Sequence, residues 1–125
     1  MDAVYAEGAP AAIGPYSQAI VADGWVFVSG QLALDPRTGS LGPGDASAQT
    51  ERALENLAAI LSAAGARLAD VVKTTVYLRD LSDFAAMNAV YERRFARPYP
   101  ARATVQVAAL PKGAAVEIDA IARLR

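Results

Sequence analysis

The chain has 125 residues, with 12 basic and 13 acidic side chains for a net charge of −1, and it contains neither cysteine nor histidine. Missing those two residue types, it has no thiol nucleophile, no Ser-His-Asp arrangement, no disulfide scaffold and almost no route to a zinc site. The even charge balance gives no general attraction to nucleic acid, and the length suits a single domain over residues 1–125.

The N-terminal "MDAVYAEGAP" has neither the basic start nor the apolar centre of a signal peptide. No apolar run reaches the ~20 residues of a membrane span, so a cytoplasmic protein without a membrane partner is expected. "SQAIVADGWVFVSGQLAL" holds two β-rich runs around Asp23-Gly24, a strong hairpin signal. In the second run Trp25, Phe27 and Ser29 share one face, and Val26 and Val28 the other. "DPRTG" supplies a turn.

Asp45 is placed to cap a helix through "ASAQTERALENLAAILSAAG", with Leu54, Leu57, Ala58, Leu61 and Ala64 as its apolar stripe and Gly65 closing it. "ADVVKTTVYLRD" reads as a central strand, apolar on both sides. Val72, Thr74, Val76 and Leu78 face one way, and Val71, Thr75 and Tyr77 the other. Ser82 is the expected cap of a second helix whose stripe is Phe84, Met87, Tyr91 and Phe95, interrupted by Asn88. Arg93, Arg94 and Arg97 fall near its end, where cations suit the helix dipole. Pro98 and Pro100 lead into two last strands, and the order as a whole predicts an α+β fold, one sheet with both helices on one face. An apolar fraction of 54% in so small a chain further implies surface hidden against other copies.

Four polar residues stand where the pattern calls for apolar ones: Arg102 opening a strand, Glu117 inside the last strand, Asn88 in the helical stripe, and Ser29 beyond Trp25 and Phe27. Each also has an ordinary reading as a solvated or small surface residue. If the last two strands formed a tight hairpin, Glu117 would face Gln106 and lie about 13 Å from Arg102, too far for a cross-strand pair. Either the strands are not neighbours or each charge serves another partner. An arginine fork grips a carboxylate through two hydrogen bonds, and a carboxylate can hold and activate water. Together they describe a site for a small carboxylic acid attacked by water.

"PARATVQVAALPKGAAVEIDAIA", with "APAAIGPYSQAI", "FVSGQLALDPRTG" and "VVKTTVYLRDLSDFAAMNAVYERRF" in the same order, resembles the RidA family, the reactive intermediate deaminases also called YjgF proteins. The resemblance spans essentially the whole chain. It implies a chorismate-mutase-like α+β fold assembled as a homotrimer with sites between subunits. It also implies cofactor-free, metal-free hydrolysis of 2-imino acids and their enamine tautomers to 2-oxo acids and ammonia. Those species are released by pyridoxal-phosphate enzymes such as threonine and serine dehydratases.

On the matching positions, Arg102 binds the substrate carboxylate and Glu117 positions the attacking water. Tyr16, Ser29 and Asn88 complete the pocket, with Tyr91 at its wall. Many members have cysteine where this chain has Thr104. The family's use of that position is ascribed to the backbone carbonyl, so activity is expected to survive the change. Two other readings compete: a module that binds 2-oxo acids without turnover, and a ribonuclease or translation inhibitor. The second lacks a histidine and a basic stripe.

Overall fold

Asp23 and Gly24 both take positive φ (51° and 79°) and turn β2 (Ala19–Ala22) into β3 (Trp25–Gln31), the hairpin the Asp-Gly pair predicts. In the computed structural model, which describes all 125 residues, a short β1 (Asp2–Val4) adds antiparallel to β2, ahead of the first run read as a strand. Next come α1 (Ala46–Ala63), β4 (Val71–Leu78), α2 (Phe84–Arg94), β5 (Ala101–Gln106) and β6 (Val116–Arg123). The six strands form one mixed sheet in the order β1-β2-β3-β6-β4-β5, with β5 parallel to β4 and the other pairs antiparallel.

This order settles the relation of the last two strands. They are not a hairpin: β6 inserts between β3 and β4, and β5 lies beyond β4 at the edge. Arg102 therefore pairs with Thr74, and Glu117 with Tyr77.

Both ends of α1 follow the sequence signals. The Asp45 carboxylate accepts the Ala48 N–H at 3.0 Å. At the other end Gly65 (φ 87°) lets Ala66 N–H reach Leu61 O and Gly65 N–H reach Ser62 O, a Schellman closure. The buried face of α1 is wider than the predicted stripe. Leu54, Leu57 and Leu61 are buried as expected, joined by Ala53, Asn56 and Ile60, whereas Ala58 and Ala64 are only partly covered. Ser82 does not cap the second helix as expected: it lies within a 3-10 turn over Leu81–Asp83 that is capped by Asp80, which accepts the Ser82 N–H at 2.9 Å, and α2 follows from Asp83 without a side-chain cap. Met87, Tyr91 and Phe95 are buried together with Val90, but Phe84 is exposed.

Val26, Val28, Val76, Leu78, Val116, Ile118, Ala120 and Ala122 point from the sheet into one core with the helix faces. On β4 the expected alternation breaks at its start. A register shift between Val71 and Lys73 turns Val71 inward and leaves Val72 exposed, since a bulge adds a residue and flips the faces before it. The opposite face of the sheet has no helix over it. Large apolar side chains are exposed there, Trp25 (36%) and Phe27 (45%) on β3 and Val105 (42%) on the edge strand β5.

Candidate functional site

Arg102 lies on the helix-covered face, at the sheet edge where α2 overhangs β5. Its guanidinium carbon sits 4.7 Å from the Tyr91 ring centroid and 5.5 Å from that of Phe84. Aromatic faces orient a guanidinium while leaving its N–H fork unspent. No protein carboxylate within salt-bridge distance occupies it. The cleft in front, about 400 Å³, is lined by Asn88, Tyr91, Glu92, Tyr99, Pro100 and Arg102. Tyr91 offers this cleft its ring alone, because its hydroxyl bonds to Thr74 Oγ1 at 2.8 Å. Burial drives the Tyr91 pKa up, with the Thr74 bond and the Arg102 charge opposing that rise. Thr104 follows on the same sheet face, its hydroxyl buried and without a hydrogen-bond partner.

Glu117 lies on the other face. Its neighbours across the sheet are Tyr77 on β4 and Gly30 on β3. A Cβ at Gly30 would stand 2.1 Å from Glu117 Oε2, so the carboxylate rests on space that only glycine leaves open. A register shift between Val28 and Gln31 creates this spot. Burial first, and the Asp119 charge second, raise the Glu117 pKa above the ordinary carboxylate value. Ser29 is tied down, its Oγ donating to Ser17 O at 2.6 Å and its N–H to Gln18 O at 2.9 Å. Tyr16, half exposed, and Gly30 line a common cavity of about 420 Å³. Gln18 anchors the segment leading to Tyr16. Its amide accepts Ala6 N–H at 2.7 Å and donates to Pro10 O at 2.8 Å.

The candidate residues thus divide into two groups: Arg102, Asn88, Tyr91 and Thr104 around α2 and β5, and Glu117, Ser29 and Tyr16 around the β3 bulge. Within one chain the sheet itself separates them, since Arg102 shares the face of Thr74 and Glu117 that of Tyr77. Sequence reasoning missed Gly30, Glu92 and Tyr99. Gly30 was legible only as part of "VSGQ", and Glu92 would be expected on a solvated helix face. In the basic cluster at the end of α2, Arg93 and Arg94 share one carboxylate, Glu51, and Arg97 stacks on Tyr99.

The family model described as Endoribonuclease L-PSP matches residues 6–124. A 2-iminobutanoate/2-iminopropanoate deaminase of Capra hircus is 54% identical over 91% of this chain and 83% of its own. A RutC family protein of Pyrococcus abyssi is 52% identical over 97% and 95%. Among solved structures, RidA from the Antarctic bacterium Psychrobacter sp. superposes with a TM-score of 0.95 at 51% identity, covering 99% and 100% of the two chains. E. coli TdcF with bound serine superposes at 0.93 and 42% identity, over 100% of both chains. By sequence and by fold, a chorismate-mutase-like α+β sheet with two helices on one side, the chain belongs to the RidA/YjgF family, the family also described as Endoribonuclease L-PSP.

Proposed function

We propose that the protein is a cofactor-independent hydrolase of 2-imino acids. It works as a homotrimer in which Arg102 of one subunit and Glu117 of the next face a common cleft. The observation that carries this reading is the division of the two charges between opposite faces of one sheet, Arg102 in the α2 cleft and Glu117 against Gly30, which lines a second cavity with Tyr16. Two half-sites become one site when the uncovered face of one copy, bearing Trp25, Phe27 and Glu117, packs beside the exposed edge strand β5 of another. The deaminase name carried by relatives at 54% identity supports the chemistry.

In this mechanism the free fork of Arg102 takes the substrate carboxylate in two parallel hydrogen bonds and fixes C2. Glu117 accepts a proton from water as the water oxygen bonds C2 of the protonated imine and the C=N electron pair moves to nitrogen. Glu117 then returns that proton to nitrogen. The C–N pair leaves with ammonia, the hydroxyl proton passes to Glu117 as the carbonyl forms, and ammonia carries it off as ammonium. A carboxyl with a raised pKa suits both halves of this exchange, because it takes and gives the proton closer to neutral pH.

RNA cleavage is the weaker reading. The α2 arginines are already paired, and Arg102 sits behind aromatic rings in a cleft of small-molecule size. The test generates imine with threonine dehydratase and follows trapping by semicarbazide. Wild type suppresses semicarbazone formation and Arg102→Ala does not, while both remain folded by circular dichroism. Equal suppression by the two contradicts the docking role of Arg102.

A further inference from the structure

On the uncovered sheet face a second carboxylate is held beside Glu117 by contacts that neither packing nor the sheet ladder requires. Asp119 follows Glu117 by two residues on β6 and so projects to the same side. Both its oxygens are engaged from β4: the Tyr77 hydroxyl donates to Oδ2 at 3.1 Å, and the Thr75 N–H donates to Oδ1 at 3.2 Å. Tyr77 in turn is the residue directly across from Glu117. Two carboxylates on one strand face repel each other, and nothing in the sheet pairing calls for the two together.

Resting on the hydrolytic reading above, we propose that Asp119 and Tyr77 are positioning residues for Glu117: Tyr77 locks Asp119 so that a fixed negative charge stands beside the water-activating carboxylate. That charge makes Glu117 hold the proton it takes from water more firmly and deliver it to the leaving nitrogen. Tyr77 serves by geometry and not as an acid. Burial first, and then Asp119, push its own pKa up, so the hydroxyl stays a donor throughout the working range.

Other charges facing this region are already committed within the chain. Arg79, two residues beyond Tyr77, donates to Gly113 O at 2.6 Å, and Lys73 toward the other end of β4 donates to Thr74 O at 3.2 Å. Lys112, which lines the cavity containing Gly30, donates to Gly39 O at 2.9 Å. β3 brings only Ser29, Gly30 and Gln31 to this end of the sheet, none of them titratable. Farther along β6, Arg123 stacks on Trp25 and donates to Asp23 O at 3.3 Å. In the proposed trimer Arg102 of the neighbouring copy also faces the site, and both arginines are present in every variant used below.

The test measures kcat/KM for imine hydrolysis against pH for wild type, Asp119→Asn, Asp119→Glu and Tyr77→Phe. Glu117 is titrated in parallel by carboxyl 13C NMR, its resonance assigned with Glu117→Gln. Asp119→Asn is expected to move both the acid limb of activity and the Glu117 titration about one pH unit lower, the scale of removing one like charge two residues along the same strand face. Asp119→Glu restores the wild-type limb. Tyr77→Phe, which keeps ring and fold, shifts the limb in the same direction by less. An active wild type whose limb and Glu117 titration are unchanged in Asp119→Asn and Tyr77→Phe overturns the role of Asp119. A wild type without imine hydrolysis overturns the hydrolytic reading itself, and the two failures are thereby told apart.

Discussion

Replacing Gly30 by alanine perturbs the site by a single methyl group whose effect can be worked out from distances. The added Cβ would lie 2.1 Å from Glu117 Oε2, 2.8 Å from Cδ and 3.1 Å from Cγ. Ordinary contact needs about 3.5 Å, so the carboxylate tip must swing away by more than about 1 Å. The obstructing atoms end a flexible side chain, and Gly30 is exposed with no positive φ, so the backbone has nothing to resist. Stability is therefore expected within about 0.5 kcal/mol of wild type. Catalysis is not so tolerant, because a misplacement of ~1 Å in a reacting group costs on the order of 10²-fold. Semicarbazide trapping should show kcat/KM down by that factor, with assembly and thermal midpoint unchanged. Wild-type kcat/KM in Gly30→Ala would refute the claim that Glu117 works from the position it holds against Gly30.

Two further outcomes follow from burial. Because the folded state raises the Glu117 pKa, it binds that proton more tightly than the unfolded chain. The associated stability is fully present below the unfolded value of 4.5 and is lost as pH rises through the folded one. Glu117→Gln should accordingly be inactive yet more stable than wild type at neutral pH, with a flatter dependence of Tm on pH above 4.5; parallel curves would contradict it. Asn56 is fully buried on α1 and donates to Leu32 O and Leu34 O, both at 3.0 Å, pinning the segment after β3 to the helix. Asn56→Leu strands those carbonyls and should cost about 2–3 kcal/mol in urea unfolding; an unshifted midpoint would show that the pinning is dispensable.

Local signals in the sequence were reliable where one residue type has one physical use. Asp23-Gly24, Asp45 and Gly65 each stand where a turn, a cap and a helix stop need them. Signals that depend on a distant partner were not legible. Asn56 looks like a polar interruption until the carbonyls of Leu32 and Leu34 are placed beside it. The bulge at Val72 reverses the predicted faces of the two valines because alternation says nothing about register. Phe84 reads as core and instead stacks on Arg102 at the cleft.

The same distinction governs the site. Arg102 and Glu117 stood out as charges in apolar strands, and the ~13 Å mismatch already spoke against a simple pair. Which face each occupies follows only from β6 inserting between β3 and β4, a pairing that no local pattern encodes. Asp119 and Tyr77 were invisible for that reason, since their relation is across strands.

The central claim, that a working site takes Arg102 from one subunit and Glu117 from another, is tested most directly by mixing two inactive variants. Arg102→Ala and Glu117→Gln are unfolded together in equal amounts and reassembled. In a trimer with shared sites, roughly three quarters of random assemblies are mixed and each mixed assembly holds one intact site of three, so about a quarter of wild-type activity should return. If the two charges serve one site within a single chain, no mixture contains an intact site. A mixture as inactive as its parents, with assembly demonstrated by sedimentation, would contradict the account.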